Sequence, residues 1–496
     1  MKYKSTRDFR VSVTSAEAIV KGLSEDGGLF LPESIPSVDI APLVNLSYRE
    51  RAKAVFSYFL TDFTADEIAD AVDKAYTKES FGTEQIAPLR KLDESRYVLE
   101  LWHGPTCAFK DMALQILPHL LTTAAKKTGM DKEIVILVAT SGDTGKAALD
   151  GFADVAGTKI IVFYPQNGVS RIQKLQMCTQ RGENVYVAAV DGNFDDAQSG
   201  VKAIFTDKAY GMRLSEAQYV LSSANSINWG RLLPQIVYYI SAYCDMVRTG
   251  EIRCGEAVNV CVPTGNFGNI LAAYYAKRMS LPIKKLICAS NRNKVLTDFF
   301  ASGTYDKNRD FYTTVSPSMD ILISSNLERL LYLLTDGMSG EVAEYMKSLS
   351  KNGKYTVSKA LHERIKAEFA GGYNDDEECK KTISETAAKY GYIIDTHTAV
   401  AMGVYTSYAS AAQDDTKTII ASTANPFKFN EAVLSALCGD AATQGKDEFE
   451  MIDALSEKFS LDVPQPLREL KTLPVRFDDT FEKGAMRSAV SGFLGI

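Results

Sequence analysis

Runs of consecutive apolar residues constrain the fold of this chain more than any other feature. Each run is short and is followed by a segment of helical character. Strands that read as continuous apolar runs are buried on both faces, as in parallel sheets covered by crossover helices. The pattern therefore predicts two α/β sheets, with a helix-rich segment at 325–412 before the last strand. The predicted strands are 133–140, 159–165 and 184–190 in one group, and 257–264, 284–290 and 417–423 in the other.

The first 94 residues have a different character. The chain of 496 residues is too long for one simple core, so more than one domain is expected. Thr14 and Thr64 are each followed three residues later by a glutamate, Glu17 and Glu67, which is the spacing of a helix capping box. This region is therefore predicted to be mainly helical.

Charge and composition narrow the class of partner. The net charge is -7 and no block of Lys and Arg occurs, which argues against a nucleic-acid surface. No apolar stretch approaches the about 20 residues of a membrane span, and the N-terminus lacks the apolar core of a signal peptide. The eight cysteines form no CxxC pair, and the four histidines have no HExxH spacing. We expect a cytoplasmic protein that acts on a small molecule and has no metal site, no membrane contact and no nucleic acid.

Lys110 lies at a junction where a strand-like run, 97–102, meets a Gly-Pro turn and then a helical segment. The start of a helix favours anions, so a lysine there lacks electrostatic support. If the apolar residues Ala108 and Phe109 turn inward, burial lowers the lysine pKa. A lysine with a lowered pKa suits Schiff-base chemistry with a carbonyl compound or with pyridoxal phosphate (PLP). The alternative is an ordinary surface lysine.

Two loops at predicted strand ends are suited to anions. The turn at 140–146, TSGDTGK, resembles a phosphate-binding P-loop but has Thr140 in place of the first glycine and Ala147 in place of the metal-binding hydroxyl residue. It is either an anion-binding turn or a plain strand-to-helix turn. The loop at 265–269, GNFGN, places two glycines and a helix start together, which predicts a phosphate site.

A third strand end carries the hydroxyl of Thr423, which is either a ligand or a simple turn cap. Combined with Lys110, the phosphate loop and the 140–146 turn, this hydroxyl predicts a PLP pocket. Such a pocket needs a lysine for the aldehyde and separate partners for the phosphate, the pyridine nitrogen and the substrate carboxylate.

Six motifs in order, HGPTCAFKD, TSGDTGKAAL, SSANSINWGR, PTGNFGN, SPSMDILISSNLER and ASTANPFKF, resemble the longer type of threonine synthase. The resemblance spans nearly the whole chain. It implies the α/β architecture of PLP fold type II, with two three-layer α/β subdomains and a mainly helical N-terminal domain. The implied boundaries are 1–94 for the N-terminal domain, 95–132 with 230–496 for the large PLP-binding subdomain, and 133–229 for the small inserted subdomain.

The resemblance also implies residue roles. Lys110 would bind PLP covalently and act as the catalytic base, and Thr423 would meet the pyridine nitrogen. The phosphate loop would bind PLP through Gly265, Asn266, Phe267, Gly268 and Asn269. The turn near the cofactor and the substrate carboxylate would consist of Ser141, Gly142, Asp143 and Thr144, with Asp143 also contacting the cofactor.

The implied reaction converts O-phospho-L-homoserine and water to L-threonine and phosphate. Charge and loop position make Asn228, Arg231, Lys294 and Ser316 the candidates for the substrate phosphate, with Asp320 and Asn326 in the same family-like block; Arg231 and Lys294 are equally compatible with surface positions. Alternatives are a phospho-lyase that forms 2-ketobutyrate, an amino-acid dehydratase, and a cofactor-free nucleotide-binding module. A monomer or homodimer is expected.

Overall fold

The computed structural model describes residues 1–140, 142–167 and 169–496. Its strands are β1 (Tyr3–Ser5), β2 (Phe30–Pro32), β3 (Leu89–Lys91), β4 (Arg96–Glu100), β5 (Glu133–Ala139), β6 (Thr158–Pro165), β7 (Val185–Asp191), β8 (Tyr219–Ser222), β9 (Val258–Pro263), β10 (Ile283–Ser290), β11 (Thr304–Asp306), β12 (Lys354–Thr356), β13 (Phe369–Tyr373), β14 (Thr418–Ser422) and β15 (Thr480–Glu482).

The helices are α1 (Ser15–Lys21), α2 (Tyr48–Phe59), α3 (Ala65–Ala75), α4 (Lys78–Phe81), α5 (Asp111–Leu114), α6 (Leu117–Lys127), α7 (Asp143–Phe152), α8 (Arg171–Cys178), α9 (Phe194–Thr206), α10 (Lys208–Glu216), α11 (Trp229–Arg248), α12 (Gly268–Arg278), α13 (Val295–Ser302), α14 (Leu327–Leu334), α15 (Ser339–Asn352), α16 (Lys359–Glu368), α17 (Asp376–Tyr390), α18 (Thr396–Ala412), α19 (Asn430–Cys438), α20 (Glu448–Phe459), α21 (Gln465–Arg468) and α22 (Met486–Leu494). No helix in these ranges is both long enough and apolar enough to cross a bilayer.

The larger sheet has the strand order β13-β10-β9-β14-β4-β3, and its strands are parallel except for β3 at one edge. Successive side chains point to opposite faces of a strand. In β14, Ile419 accordingly packs into one core, and Ile420 into a separate core on the other face. Both faces are thus covered, as the continuous apolar runs predict.

The smaller sheet has the order β15-β7-β6-β5-β8, and its strands are parallel. Here too the residues alternate between two cores: Ile134 and Ile136 face the core shared with the rest of the protein, whereas Val135 and Leu137 face a local core. Two three-layer α/β units are therefore present, and the predicted fold class is confirmed.

The C-terminal segment differs from the predicted assignment of 230–496 to the larger subdomain. Strand β15 pairs with β7 of the smaller sheet, and α22 buries Met486 and Val490 in the local core of that sheet. Strand β15 is only three residues long and lies mostly exposed at the edge, so it has no apolar run to reveal it. The remaining predicted boundaries stay predictions.

The N-terminal region packs onto the larger unit. Both predicted capping boxes are present, at Thr14 with Glu17 and at Thr64 with Glu67. The Trp229 ring at the start of α11 lies between the ring of Tyr3, with centroids 5.5 Å apart, and the ring of Phe59, with centroids 5.6 Å apart. These contacts fix α11, which carries residues near the site described next.

Candidate active site

The loop that carries Lys110 is joined to the loop that follows β14. The Phe109 N–H donates to the Thr423 carbonyl at 2.8 Å, and the Asn425 N–H donates to the Cys107 carbonyl at 3.0 Å. Strands β4 and β14 are parallel neighbours, so both loops leave the same edge of the larger sheet. The structure therefore brings Lys110 and Thr423 together at the carboxyl ends of the strands, where ligands bind in open α/β sheets.

Lys110 is buried, with 10% of its side chain exposed. Its Nζ lies 3.2 Å from Ser318 Oγ and 3.6 Å from Asp143 Oδ2. Burial lowers the pKa of Lys110 to about 8; the nearby Asp143 carboxylate opposes this effect, while the cations of Lys428 and Arg231 add to it. The lowered lysine pKa that the sequence predicts is thus found, and its main cause is desolvation.

Asp143 is the acidic centre of the site. Its Oδ1 lies 2.6 Å from Lys428 Nζ and accepts a hydrogen bond of 3.1 Å from Gln173 Nε2. Burial on its own raises the pKa of this carboxyl, but Lys428 and Lys110 outweigh burial and hold the pKa well below its usual range. Asp143 is therefore a permanent anion that holds two buried lysines close together.

The turn before α7 is held by Thr140. Its Oγ1 accepts hydrogen bonds from the N–H groups of Gly142 at 3.0 Å and Gly145 at 2.9 Å. Gly142 has φ 138°, and a Cβ there would lie 2.4 Å from the Gln173 side chain, so a glycine is required. Thr144 is half-buried in the first turn of α7. Ser141, predicted to bind the substrate, lies outside the described residues.

The loop 265–269 turns sharply between β9 and α12. Phe267 is buried and has φ 65°, a left-handed conformation that is uncommon for a residue other than glycine. Two neighbours hold the loop backbone: Ser324 Oγ donates to the Gly265 carbonyl at 2.6 Å, and Asn326 Nδ2 donates to the Asn266 carbonyl at 3.0 Å. Asn326 thus supports the predicted phosphate loop.

The loop contains a buried hydrogen-bond donor that has no partner among the described residues. Asn269 Oδ1 accepts hydrogen bonds from Tyr238 and Tyr239, whereas its buried Nδ2 has no partner among the described residues. A buried donor without a partner is unfavourable unless a ligand completes it. A Cβ on Gly268 would approach only side-chain atoms, at 3.5 Å or more, and the start of α12 favours anions. With Lys110 and Thr423 nearby, these residues fit PLP.

Arg231 is a buried cation on α11. Its Nη1 donates to the Ala224 carbonyl at 2.9 Å, and no carboxylate among the described residues forms an ion pair with it. Burial lowers the pKa of the guanidinium to about 10, so it stays charged at neutral pH. A buried charge without a counterion is costly, which suits a site for an anionic ligand.

The other predicted substrate residues have different surroundings. Asn228 is the N-cap of α11, and its side chain bonds to Gly230 N–H at 2.9 Å and to the Ile19 carbonyl at 3.0 Å. The Lys294 side chain is 37% exposed and pairs with Asp298 at 2.8 Å. These side-chain contacts do not join Asn228 or Lys294 to the lysine pair around Asp143.

Ser316 and Asp320 belong to a buried polar cluster. Asn291 Nδ2 donates to Ser316 Oγ at 3.1 Å and to Asp320 Oδ1 at 2.7 Å. Burial raises the pKa of Asp320. The turn between these two residues contains Ser318, whose Oγ contacts Lys110. Ser316 thus adjoins the site through this turn.

Sequence reasoning did not identify Ser318, Lys428 or His397. Ser318 lies inside the SPSMDILISSNLER motif and Lys428 inside ASTANPFKF, so both motifs contained the signal but not the role. His397 lies in none of the motifs; its Nε2 accepts the Ser318 N–H at 3.1 Å. No group of His, Cys, Asp and Glu suited to a metal ion occurs in the described ranges.

Comparisons with known proteins identify the family of this chain. Family models match in three successive segments: "Threonine synthase N terminus" at 2–76, "Pyridoxal-phosphate dependent enzyme" at 82–423 and "Threonine synthase, C-terminal" at 398–485. The second model covers all the predicted cofactor-binding residues.

Whole-chain comparisons agree with these models. Human threonine synthase-like 1 is 43% identical over 436 residues, which is 85% of this chain; the chain spans 58% of that relative's length. Threonine synthase of Pseudomonas aeruginosa is 39% identical over 89% of this chain and 91% of its own length. The crystal structure of PLP-bound threonine synthase from Brucella melitensis covers 100% of both chains at 35% identity, with a TM-score of 0.88. The chain belongs to the threonine synthase family of PLP-dependent enzymes.

Proposed function

We propose that this protein is a threonine synthase, which converts O-phospho-L-homoserine and water to L-threonine and phosphate in the last step of threonine biosynthesis. The observation that carries the proposal is a buried Lys110 of lowered pKa near two groups suited to anions, the loop 265–269 with its unpartnered donor and the buried Arg231 guanidinium. One site suits a cofactor phosphate and the other a substrate phosphate. The names and overall likeness of the relatives support this proposal.

The cofactor would be held by the loop after β9 and the loop after β14. Gly265, Asn266, Phe267, Gly268 and Asn269 would bind the phosphate, with Asn269 Nδ2 as a donor that has no protein partner in the described ranges. The Thr423 hydroxyl, which makes no side-chain hydrogen bond within the described residues, would meet the pyridine nitrogen. When bound, PLP supplies an electron sink for the negative charge that develops on substrate carbon atoms.

Lys110 would bind the cofactor and then move protons at substrate carbon atoms. A base must be neutral to accept a proton, and a pKa of about 8 leaves a usable neutral fraction near pH 7.5. Asp143 lies 3.6 Å away and stabilises the protonated form that results. The same amine can therefore accept a proton at Cα and release it again.

The two anionic groups of the substrate would be bound by different residues near this lysine. Gly142, Asp143 and Thr144, together with Ser141, remain the candidates for the carboxylate through their backbone N–H groups, because α7 begins there and a helix start favours anions. The Asp143 side chain is itself an anion that pairs with Lys110 and Lys428. Arg231 is the strongest candidate for the phosphate, since its guanidinium can donate two parallel hydrogen bonds. Ser316, Asn228 and Lys294 are further candidates.

The decisive assay measures both possible products. Purified enzyme loaded with PLP is incubated with O-phospho-L-homoserine, and threonine and 2-ketobutyrate are quantified side by side. We expect mainly threonine, and little reaction with serine, threonine or unphosphorylated homoserine. Predominant 2-ketobutyrate would identify a phospho-lyase, and turnover of serine or threonine a dehydratase. A chain that binds no PLP would contradict the whole proposal.

Arg231→Ala tests the phosphate assignment. We expect the KM for phosphohomoserine to rise by about tenfold or more, because a buried charge-assisted contact is lost. The absorbance of bound PLP should stay the same. Lys471→Ala removes an exposed cation that is paired with Asp453 and is not a candidate for the substrate phosphate, and it serves as the control. An equal rise in KM for both variants would argue against a specific role for Arg231.

We also propose that the protein acts in the cytoplasm, as a monomer or homodimer, on a small molecule and without nucleic acid. All eight cysteines are free, which is the state expected in a reducing compartment. Light scattering on the purified protein would give the oligomeric state.

A further inference from the structure

Asp395 and His397 form a buried pair for which the proposed reaction has no use. His397 Nδ1 lies 2.8 Å from Asp395 Oδ2, and the two side chains are 3% and 0% exposed. On the other side of the ring, Nε2 receives the Ser318 N–H at 3.1 Å. Because a backbone N–H can only donate, Nε2 is the acceptor and Nδ1 carries the proton that goes to Asp395. The imidazole is therefore fixed as one neutral tautomer.

The pair is itself held in place. Asp395 is the N-cap of α18 and accepts hydrogen bonds from the N–H groups of His397 at 2.8 Å and Thr398 at 3.1 Å. The His397 ring packs edge-on against the Phe429 ring, with centroids 4.7 Å apart. The Nε2 atom thus has a defined position relative to α18 and the larger sheet.

Ser318 connects this pair to Lys110, the lysine proposed to bind PLP. Its Oγ accepts a hydrogen bond from Lys110 Nζ at 3.2 Å and lies 3.5 Å from Asp143 Oδ2. Ser318 is in a short 3-10 turn, Pro317–Met319, and its carbonyl presses against the phosphate loop, since a Cβ on Gly265 would lie 2.7 Å from it. The position of the hydroxyl therefore depends on what holds this turn.

We propose that His397, oriented by Asp395, is a positioning residue that holds the Ser318 turn so that the Ser318 hydroxyl accepts a hydrogen bond from Lys110 before PLP is attached. The hydroxyl stabilises the lysine ammonium together with Asp143, against the opposing charges of Lys428 and Arg231. His397 does not touch the lysine and acts only through Ser318. The inference rests on the proposed role of Lys110 as the attachment residue.

The test measures covalent loading, the attachment of PLP to Lys110 in the full chain after its own cofactor has been removed. The rate of loading is followed by absorbance across a range of pH, and the product is trapped with borohydride and located by peptide mapping. Only the neutral amine attacks the aldehyde, so the pH midpoint of the rate reports the pKa of free Lys110. This measurement does not depend on turnover.

Two variants separate positioning from general support of the fold. Ser318→Ala removes the hydroxyl but keeps the N–H that His397 accepts. His397→Asn keeps a group near Asp395 but is too short to accept the Ser318 N–H. We expect each to lower the loading midpoint by about 0.5 to 1 pH unit, because the ammonium loses one hydrogen-bond acceptor. The double variant should show no larger shift than Ser318→Ala alone.

A third variant is the rescue. His397→Gln can place its Oε1 near the former position of Nε2 and accept the Ser318 N–H, so the midpoint should stay near the wild-type value. His362→Asn is the matched control: His362 bonds the Phe300 carbonyl at 2.8 Å in a different part of the protein, and its replacement should leave the midpoint unchanged.

The possible outcomes are distinct. An unshifted midpoint in Ser318→Ala overturns the inference, whatever the His397 variants do. A shift in Ser318→Ala that is absent from folded His397→Asn shows that His397 does not position the hydroxyl. Trapping of PLP at a residue other than Lys110 contradicts the proposed function itself. Loading at Lys110 with the expected shifts supports both.

Discussion

At the scale of single residues, the pKa of Lys110 is set by opposing effects of burial and of nearby charges. Burial, Lys428 and Arg231 disfavour the charged form, and Asp143 favours it. The net result is a folded-state pKa of about 8, compared with 10.5 for an ordinary lysine. A lysine in this state is reactive near neutral pH, but its burial reduces the stability of the cofactor-free protein.

Lys110→Met should therefore abolish loading and turnover while stabilising the cofactor-free protein. Below about pH 8 the wild-type lysine is charged in both states, and the folded protein carries the full penalty. As pH rises from 8 to 10.5 the penalty disappears. The shift corresponds to a gain of up to about 3 kcal/mol at pH 7, since one pKa unit is about 1.4 kcal/mol.

Urea unfolding of the cofactor-free proteins at pH 7 and pH 10 measures this gain. Asp143 retains Lys428 at 2.6 Å, so the variant does not leave the carboxylate unpaired. Lys471→Met, at an exposed site, should change stability little at either pH. A Lys110→Met protein that is less stable than wild type at pH 7, or one that still turns over phosphohomoserine, would refute this account.

At the scale of elements, strands with a continuous apolar run were easier to predict from the sequence than strands without one. The buried strands β5, β6, β9 and β10 each carry a continuous apolar run, and all were predicted. Strand β13, which reads FAGGY, was missed inside a segment predicted to be helical, because its two glycines interrupt the apolar pattern.

The same contrast applies to the site. Lys110 and the loop 265–269 have local signals, a helix start and a pair of glycines, that indicate chemistry directly. The ion pair between Asp143 and Lys428 joins residues that are 285 positions apart in the chain, and no local pattern encodes it. His397 likewise contacts Ser318 from a different helix. Such contacts depend on the packing of whole elements, which periodicity does not specify.

The phosphate loop allows a test of one element. Gly268→Val should weaken PLP binding by about tenfold or more, because a branched side chain would occupy space at the start of α12 that the phosphate requires. Folding should suffer less, since a Cβ at this position lies 3.5 Å from its nearest neighbour, Asn326 Nδ2. A spectroscopic titration with PLP and a thermal melt measure the two effects.

Gly265→Ala provides the contrast. Its Cβ would lie 2.7 Å from the Ser318 carbonyl, so this variant should disturb the backbone and lower the melting temperature. Unchanged PLP affinity in Gly268→Val would count against the proposed phosphate loop. Equal loss of stability in both variants would show that the difference in local space has no consequence.

At the scale of the whole molecule, the site lies where the two α/β units meet. Asp143 begins α7 of the smaller unit, whereas Lys110 and Lys428 follow strands of the larger one. Lys428 also donates to the Thr106 carbonyl at 2.9 Å, which ties the Lys110 loop to the loop after β14. The chain leaves the larger unit a second time to add β15 to the smaller sheet. This return adds another covalent connection between the two units.

Lys428→Met should weaken this junction. Removing the cation leaves the buried Asp143 carboxylate with Lys110 alone, at 3.6 Å, and the loss of one partner from a buried pair costs about 3–5 kcal/mol. The loading midpoint of Lys110 should move above pH 8, because Lys428 lowers the pKa of that lysine. Lys471→Met removes an exposed partner of Asp453 and should cost about 0–1 kcal/mol.

The effect of Lys428→Met on the free energy of unfolding should depend on pH. The folded-state pKa of Asp143 lies below the ordinary value of 3.8, so its contribution to stability is fully present above pH 3.8 and is lost as pH falls through the folded-state value. The stability difference between wild type and Lys428→Met should therefore be large at pH 7 and should become smaller as the pH falls below 3.8. Urea unfolding at pH 7, 5 and 3 checks this. A difference that grows on acidification, or a loading midpoint that falls below pH 8, would contradict the assignment of Asp143 as the anion that joins the two units.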